Sequence, residues 1–207
     1  TKPVYVVVVL DTSGSKICDG AKNGYSYISK DNWNVHYTAA DGTKITCRGN
    51  YNRGEMPNAL TQDKWESAVN GAISFSDSLS KVENTNISLV TFSGSASIAT
   101  KFSHTALTAR DFGHPEGNTN LQAGLSNAID KLKEITDPNA QKYIVVIGDG
   151  QPTSGGSNGK SATDRAMDRA YEAKNDNKIT VFSIGYGIEN DATAKDVLKK
   201  ISSDTTM

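Results

Sequence analysis

A carboxylate and two hydroxyls follow the first apolar segment of the chain at alternate positions. The segment is the unbroken apolar run at residues 4–10, and Asp11, Ser13 and Ser15 come directly after it. A run without polar alternation is typical of a strand buried on both faces. Open α/β sheets bind ligands where such strands end. Because all three side chains offer only oxygen, they indicate a hard cation such as Mg²⁺.

Two further oxygen donors stand next to predicted strands or helices. Thr119 lies in a Gly-Asn-Thr-Asn-Leu segment that opens an amphipathic helix. Asp149 lies in a Gly-Asp-Gly segment that follows a second unbroken apolar run, residues 142–147. Parallel strands bring their carboxyl ends to one edge of a sheet. We therefore expect the three loops to converge there.

Alternating strand and helix patterns position these loops. The predicted elements after residue 60 are a helix starting near Thr61, a hairpin of strands 87–92 and 96–102, a helix from Leu121, strand 142–147, helix 161–175, strand 179–184 and helix 192–201. Strands separated by helices favour parallel pairing. The predicted fold is a Rossmann-like α/β domain with an open, mostly parallel, doubly wound sheet. It has one antiparallel edge strand and helices on both faces.

Residues 16–60 interrupt this pattern directly after the first loop. Alternating segments at 32–37 and 43–47 flank an Asp-Gly pair and predict a β-hairpin. The aromatic content also favours a structured insertion over a disordered loop. Its aromatic residues are Tyr25, Tyr27, Trp33 and Tyr37. The insertion either covers an edge of the sheet or forms part of a ligand surface.

Both cysteines, Cys18 and Cys47, lie in this insertion. Two cysteines cannot form a structural zinc site. A disulfide is the preferred interpretation, because exposed free thiols would be a liability; two free thiols of an intracellular protein are the alternative. Closing a loop of about 28 residues would stabilise the chain by roughly 3 to 4 kcal/mol.

Composition excludes several function classes. The chain has 207 residues and a formal net charge of −1, so charge favours neither nucleic acid nor an anionic membrane as partner. Its longest apolar run is too short to cross a bilayer. Because a strand begins almost at residue 1, we expect a mature or excised fragment of a larger multidomain protein.

Enzyme signatures are incomplete in this sequence. A haloacid-dehalogenase-like phosphotransferase needs a second aspartate where Ser13 stands. Neither a Gly-x-Ser-x-Gly elbow nor a phosphate-binding Gly-x-x-x-x-Gly-Lys loop occurs. His36, His104 and His114 are scattered and fit solvated loop positions. The chain is therefore predicted not to be an enzyme.

The Asp-x-Ser-x-Ser motif with Thr119 and Asp149 resembles the metal-ion-dependent adhesion site of the von Willebrand factor A family. The resemblance implies that Ser13 and Ser15 bind the metal directly, and Thr119 directly or through water. It implies that Asp11 and Asp149 act through waters. Neutral hydroxyls leave the cation poorly neutralised, so a partner carboxylate could complete the octahedron. Mg²⁺ is expected, with Mn²⁺ or Ca²⁺ as alternatives.

Three departures from the family pattern bear on this site. Lys16 stands where methionine is often found, and Gly148 stands where threonine is often found. Family members also continue with a further strand and a long final helix, whereas this sequence stops at Met207. Lys16 adds a cation beside the site, which could weaken metal binding or attract an acidic partner.

The resemblance predicts an adhesive module of an extracellular or cell-surface bacterial protein, binding a matrix or host-surface protein. Bacterial pilus-tip adhesins resemble this plan, with segments inserted near the metal. The insertion residues Lys16, Tyr25, Tyr27, Trp33 and Tyr37 are the candidate ligand surface. An intracellular assembly module, as in metal-chelatase subunits, is the alternative. A second alternative is that the motif binds a metal only to hold the three loops together, or binds none.

Overall fold

The computed structural model of this chain describes residues 2–13, 25–31, 34–39, 44–48, 63–113, 117–149 and 151–203. For residues 25–31, 34–39, 44–48 and 63–67 it describes the backbone alone. No helix in these segments is long and apolar enough to span a membrane.

Strands and helices alternate along most of the chain. In order they are β1 (Val4–Asp11), β2 (Tyr25–Asp31), β3 (Asn34–Ala39), β4 (Lys44–Arg48), α1 (Asp63–Ser80), β5 (Thr85–Phe92), β6 (Ala96–Ile98), α2 (Leu121–Lys133), β7 (Gln141–Gly148), α3 (Ala162–Tyr171), β8 (Thr180–Gly185) and α4 (Ala192–Ile201). Strands β6-β5-β1-β7-β8 form one sheet in that order. All its pairs are parallel except β5 with β6, which confirms the predicted fold class.

The central strand β1 is buried on both faces, as its sequence predicts. Val7 and Val9 belong to a core that includes buried residues of α2, α3 and α4. Val6 and Val8 point the other way, into a core shared with α1. Because successive strand residues alternate between faces, a strand covered by helices on both sides must be apolar throughout.

The predicted edge strand 96–102 is shorter in the structure, where β6 ends at Ile98. The backbone N–H groups of Ala99 and Thr100 both donate to the carbonyl of Leu89, at 2.8 and 3.2 Å. Pairing with β5 resumes only at Ser103, opposite Ile87. Extra residues on this side of the ladder form a bulge, so the continuous strand prediction was wrong. Its position at an edge was correct.

The helix predicted at 161–175 also differs in the structure. Ser161 is the N-cap of α3, which ends at Tyr171 and passes into a π-helical turn, Glu172–Asp176. Both the backbone and the side-chain nitrogen of Asn177 donate to the carbonyl of Glu172, and this wider turn ends the helix. The helix α1 begins at Asp63, and the predicted cap Thr61 lies outside the described residues.

The insertion contains a separate three-stranded antiparallel sheet in the order β2-β3-β4. Strands β3 and β4 are the predicted hairpin, with Asn34 opposite Arg48 and Thr38 opposite Lys44. Strand β2 was not predicted, since only residues 25–27 alternate before Ile28 follows Tyr27 directly. It pairs with β3 through a bulge between Tyr27 and Ser29.

Candidate metal centre

Asp11 is the last residue of β1 and has only 1% of its surface exposed. Its Oδ1 accepts a hydrogen bond from the backbone nitrogen of Ser13 at 2.8 Å. Between them, Thr12 donates both its N–H and its hydroxyl to the carbonyl of Phe92, at 2.8 and 3.0 Å. The start of the loop after β1 is therefore fixed to the end of β5.

Thr119 lies two residues before α2 and is 7% exposed. Its backbone N–H donates to Oγ1 of Thr153 at 2.9 Å. Its carbonyl accepts from the backbone nitrogens of Thr153 and Ser154, at 2.8 and 3.1 Å. The chain enters this segment through Gly117, whose φ of 73° is a conformation that favours glycine. The hydroxyl of Thr119 makes no hydrogen bond to any described residue.

Asp149 directly follows β7, the neighbour of β1. The preceding residue, Gly148, lies against Asp11: a Cβ added to it would be 3.2 Å from the Cβ of Asp11. The carbonyl of Gly148 accepts from the backbone nitrogen of Tyr186, which directly follows β8. The ends of β1, β7 and β8 therefore bring Asp11, Asp149 and Tyr186 to one edge of the sheet.

A small cavity lies between the end of β1, the segment before α2 and the loop after β7. Asp11 and Thr119 both line it, so residues 108 positions apart in the chain face the same space. The other lining residues are Phe92, Leu121, Val146, Gly148, Gln151, Pro152 and Leu198. Apolar walls around a carboxylate and a hydroxyl strengthen electrostatic interactions within the cavity.

Negative charge is concentrated at this edge. Burial raises the pKa of the Tyr186 phenol above its ordinary value, and the charges of Asp11 and Asp149 raise this pKa further. The phenol therefore stays protonated in the physiological range. Two carboxylates that act on the same group repel each other, and a divalent cation between the loops would offset that repulsion.

The sequence model of the von Willebrand factor type A domain matches residues 57–207, well over half of the chain. The chain belongs to the von Willebrand factor type A family. The matched region includes Thr119 and Asp149, whereas Asp11 and Ser13 precede it, on the other side of the insertion. No curated protein matches the chain significantly.

Solved structures share the fold of this A domain over nearly its whole length. The A domain of Mfa5, a type V pili tip protein of Porphyromonas gingivalis, has a TM-score of 0.65 at 15% identity, covering 99% of this chain and 88% of that one. PilB, a minor pilin of Streptococcus sanguinis, has a TM-score of 0.60 at 18% identity, and the match covers 97% of this chain and 54% of the PilB chain. SpaC, a pilus adhesin of Lactobacillus rhamnosus GG, has a TM-score of 0.58 at 16% identity, and the match covers 99% of this chain and 28% of the SpaC chain. This A domain thus spans about half of the solved PilB chain and about a quarter of the solved SpaC chain.

The described donor set of the A domain fits a hard cation. Asp11, Ser13 and Thr119 are nearly buried oxygen donors at the carboxyl edge of the sheet, and Asp149 lies beside them. Among the described residues there is no cluster of three or more His, Cys, Asp or Glu that could hold a metal. A site with two carboxylates and otherwise hydroxyl donors would not form such a cluster. The four described donors all bind through oxygen, which favours Mg²⁺, Mn²⁺ or Ca²⁺.

Several predicted site residues lie outside this description. Ser15, Lys16, Cys18 and Trp33 are not among the described residues. The backbone alone is described for four others, which lie in the small sheet: Tyr25, Tyr27, Tyr37 and Cys47. The direct metal contact of Ser15, the disulfide and the ligand surface therefore stay predictions.

Sequence reasoning missed three residues that shape the site. Tyr186 follows β8 and could have been found by the rule that located Asp149, since both come directly after parallel strands. Asn120 stands in the motif that identified Thr119, and its Oδ1 caps α2 by accepting from the nitrogen of Ala123. Thr153 has no comparable signal, because its role depends on a contact with Thr119 across 34 residues.

Proposed function

We propose that this A domain is a metal-dependent protein-binding module of a bacterial surface adhesin. The observation that carries the proposal is the convergence of Asp11, Ser13 and Thr119, all nearly buried, at the carboxyl edge of the sheet beside Asp149. All four side chains offer oxygen atoms at one edge of the sheet, and oxygen is the ligand type that hard divalent cations prefer.

The proposed site holds Mg²⁺, with Mn²⁺ or Ca²⁺ as alternatives, through the hydroxyls of Ser13, Ser15 and Thr119. Asp11 and Asp149 orient water molecules around it. When bound, the cation supplies an exposed Lewis-acid position that attracts a carboxylate. Since the hydroxyl ligands are neutral, a Glu or Asp of a partner protein can complete the coordination. This chemistry captures an acidic side chain and breaks no bond.

The ligand surface is proposed to include residues of the insertion. In the small sheet Tyr27 pairs with Tyr37 and Tyr25 with Ala39, and paired residues of antiparallel strands share a face. Tyr25, Tyr27 and Tyr37 therefore belong to one face. Aromatic residues are enriched in protein interfaces. Lys16 and Trp33, which complete the proposed surface, come from the same insertion.

A cell-surface location accords with the relatives of similar fold. Their names describe a pilus tip protein, a minor pilin and a pilus adhesin. An oxidised Cys18–Cys47 pair, measured by mass spectrometry of the unreduced protein, would support an oxidising compartment. Two free thiols would instead favour the intracellular assembly module that the sequence leaves open.

Adhesion of the purified protein to immobilised extracellular-matrix proteins tests this function. We expect binding in Mg²⁺, loss of binding in EDTA, and recovery when excess Mg²⁺ is added back. Asp11→Ala should weaken binding by about tenfold or more, because the buried carboxylate that orients the metal shell is gone. Asp77→Ala is the matched control, since Asp77 is an exposed carboxylate of α1 that pairs with Lys81, the residue after the helix. If Asp11→Ala adheres at wild-type strength, metal-mediated binding is wrong.

A further inference from the structure

We propose that Thr153 is the positioning residue that aims the hydroxyl of Thr119 at the metal. This inference rests on the proposed function, because it concerns the same site. It assigns a role to a loop residue that neither the motif nor the family match singles out.

Both backbone polar groups of Thr119 are held by one short segment. The N–H of Thr119 donates to Oγ1 of Thr153 at 2.9 Å, and its carbonyl accepts from the nitrogens of Thr153 and Ser154 at 2.8 and 3.1 Å. These three bonds fix both peptide planes that flank the Cα of Thr119. Because a threonine side chain has few χ1 rotamers, a fixed backbone leaves its hydroxyl few directions.

The segment that holds Thr119 is itself anchored. Gly155 has a φ of 97°, and a Cβ added there would overlap Oδ1 of Asn120. Asn120 cannot move aside easily, because its Oδ1 accepts from the nitrogen of Ala123 and its Nδ2 donates to the carbonyl of Gly94. The backbone nitrogen of Asn120 also donates to the carbonyl of Ser93, at 2.7 Å. Thr119 is therefore held by Thr153 and Ser154 on one side and followed in the chain by Asn120, whose side chain and backbone are themselves bonded.

Thr153 also links two of the loops that converge on the site. It comes four residues after Asp149, and between them Gln151 lines the cavity shared by Asp11 and Thr119. The side-chain amide of Gln151 donates to Asp191, the N-cap of α4, which holds this loop from its other side. A displacement of the loop after β7 would therefore move Asp149 and Thr119 together.

Isothermal titration of Mg²⁺ into variants of the whole chain tests the role of Thr153. Thr153→Val keeps the shape of the side chain but removes the acceptor for the N–H of Thr119, and should weaken Mg²⁺ binding roughly tenfold. Thr153→Ser keeps the acceptor and should restore affinity to within about twofold of wild type. In a Thr119→Ala background, Thr153→Val should have no additional effect, because it acts through Thr119.

A matched control separates positioning from general stability. Oγ1 of Thr100 accepts a hydrogen bond from the backbone nitrogen of Leu89 at 2.8 Å, just as Oγ1 of Thr153 accepts one from the backbone nitrogen of Thr119. Leu89 lies three residues before Phe92, the register partner of Asp11, so this bond is about 10 Å from the site along the strand. Thr100→Val should lower the melting temperature in EDTA but leave Mg²⁺ affinity unchanged.

The outcomes distinguish the two proposals. If the wild-type protein does not bind Mg²⁺, or Asp11→Ala and Thr119→Ala bind it as wild type does, the metal site and this inference both fail. If those two variants lose affinity while Thr153→Val keeps it, only the inference fails. A serine variant that binds as weakly as the valine variant would also overturn it.

Discussion

At the scale of single residues, the candidate site combines buried charge with neutral donors. Asp11 is as buried as the core valines around it, and an ionised carboxylate in such surroundings must be compensated by hydrogen bonds or by a cation. The N–H of Ser13 supplies one hydrogen bond. The hydroxyls of Ser13 and Thr119 add oxygen donors without adding negative charge, and for this reason we propose that a cation held there attracts a partner carboxylate.

Gly155 gives a prediction at the residue scale. Gly155→Ala should destabilise the domain by about 2 kcal/mol or more, because the methyl group collides with the pinned side chain of Asn120 and the φ of 97° is strained for alanine. Gly71→Ala is the control: Gly71 lies in α1 with open space around it, so alanine should stabilise by roughly 0.5 to 1 kcal/mol. Urea unfolding measures both. Equal effects of the two variants would contradict the packing described here.

The sequence could predict some of these residues and not others, for a physical reason. Asp11, Ser13, Thr119 and Asp149 each stand next to a strand or helix whose pattern is local, so their meeting point follows from topology. Thr153 acts through a hydrogen bond between two loops, and no local pattern encodes where a loop folds back. Ser15 is not among the residues that the structure describes, so its role stays a prediction from the motif.

At the scale of elements, the strand and helix types follow from periodicity, whereas their ends depend on contacts. Helix α4 has the predicted bounds, since Asp191 caps it by accepting from the nitrogen of Ala194. Strand β6 stops early because Leu89 accepts from two successive residues of its partner. Strand β2 was missed because Ile28 follows Tyr27 directly and breaks the alternation, at the point where the structure has a bulge between Tyr27 and Ser29.

The N-terminus of α3 gives a prediction about pH. Ser161 and Asp164 form a capping box, and the hydrogen bonds from Ser161 lower the pKa of the exposed Asp164 carboxyl below its ordinary value. A lowered pKa in the folded state contributes stability above the unfolded pKa, and that stability is lost as the pH falls through the folded value. Ser161→Ala should therefore destabilise the domain at pH 7, and by less once the pH has fallen below the folded pKa of Asp164.

Urea unfolding at several pH values checks this prediction. Ser78→Ala is a suitable control, because the hydroxyl of Ser78 bonds to the carbonyl of Ser74 within α1 and caps nothing. Its small effect should not change with pH. A cost of Ser161→Ala that stays constant as the pH falls from 7 to below the folded pKa of Asp164 would show that the Asp164 carboxylate does not contribute to the cap.

At the scale of the whole molecule, the site joins parts of the chain that the insertion separates. The family match covers residues 57–207, whereas Asp11 and Ser13 come from β1, before the insertion. Because β1 pairs with β5 on one side and β7 on the other, it cannot be removed without dividing the sheet. The predicted fold class is confirmed as a whole. That the insertion contributes its aromatic face to the ligand surface stays a proposal.

The position of a metal tests the central claim of this account most directly. Crystals of the whole chain grown with Mn²⁺ can be measured at the manganese absorption edge, where an anomalous difference peak locates the ion. We predict one peak at the carboxyl edge of the main sheet, bonded to the hydroxyls of Ser13, Ser15 and Thr119 and absent from Asp11→Ala crystals. Well-ordered wild-type crystals without a peak at this position, at saturating Mn²⁺, would contradict it.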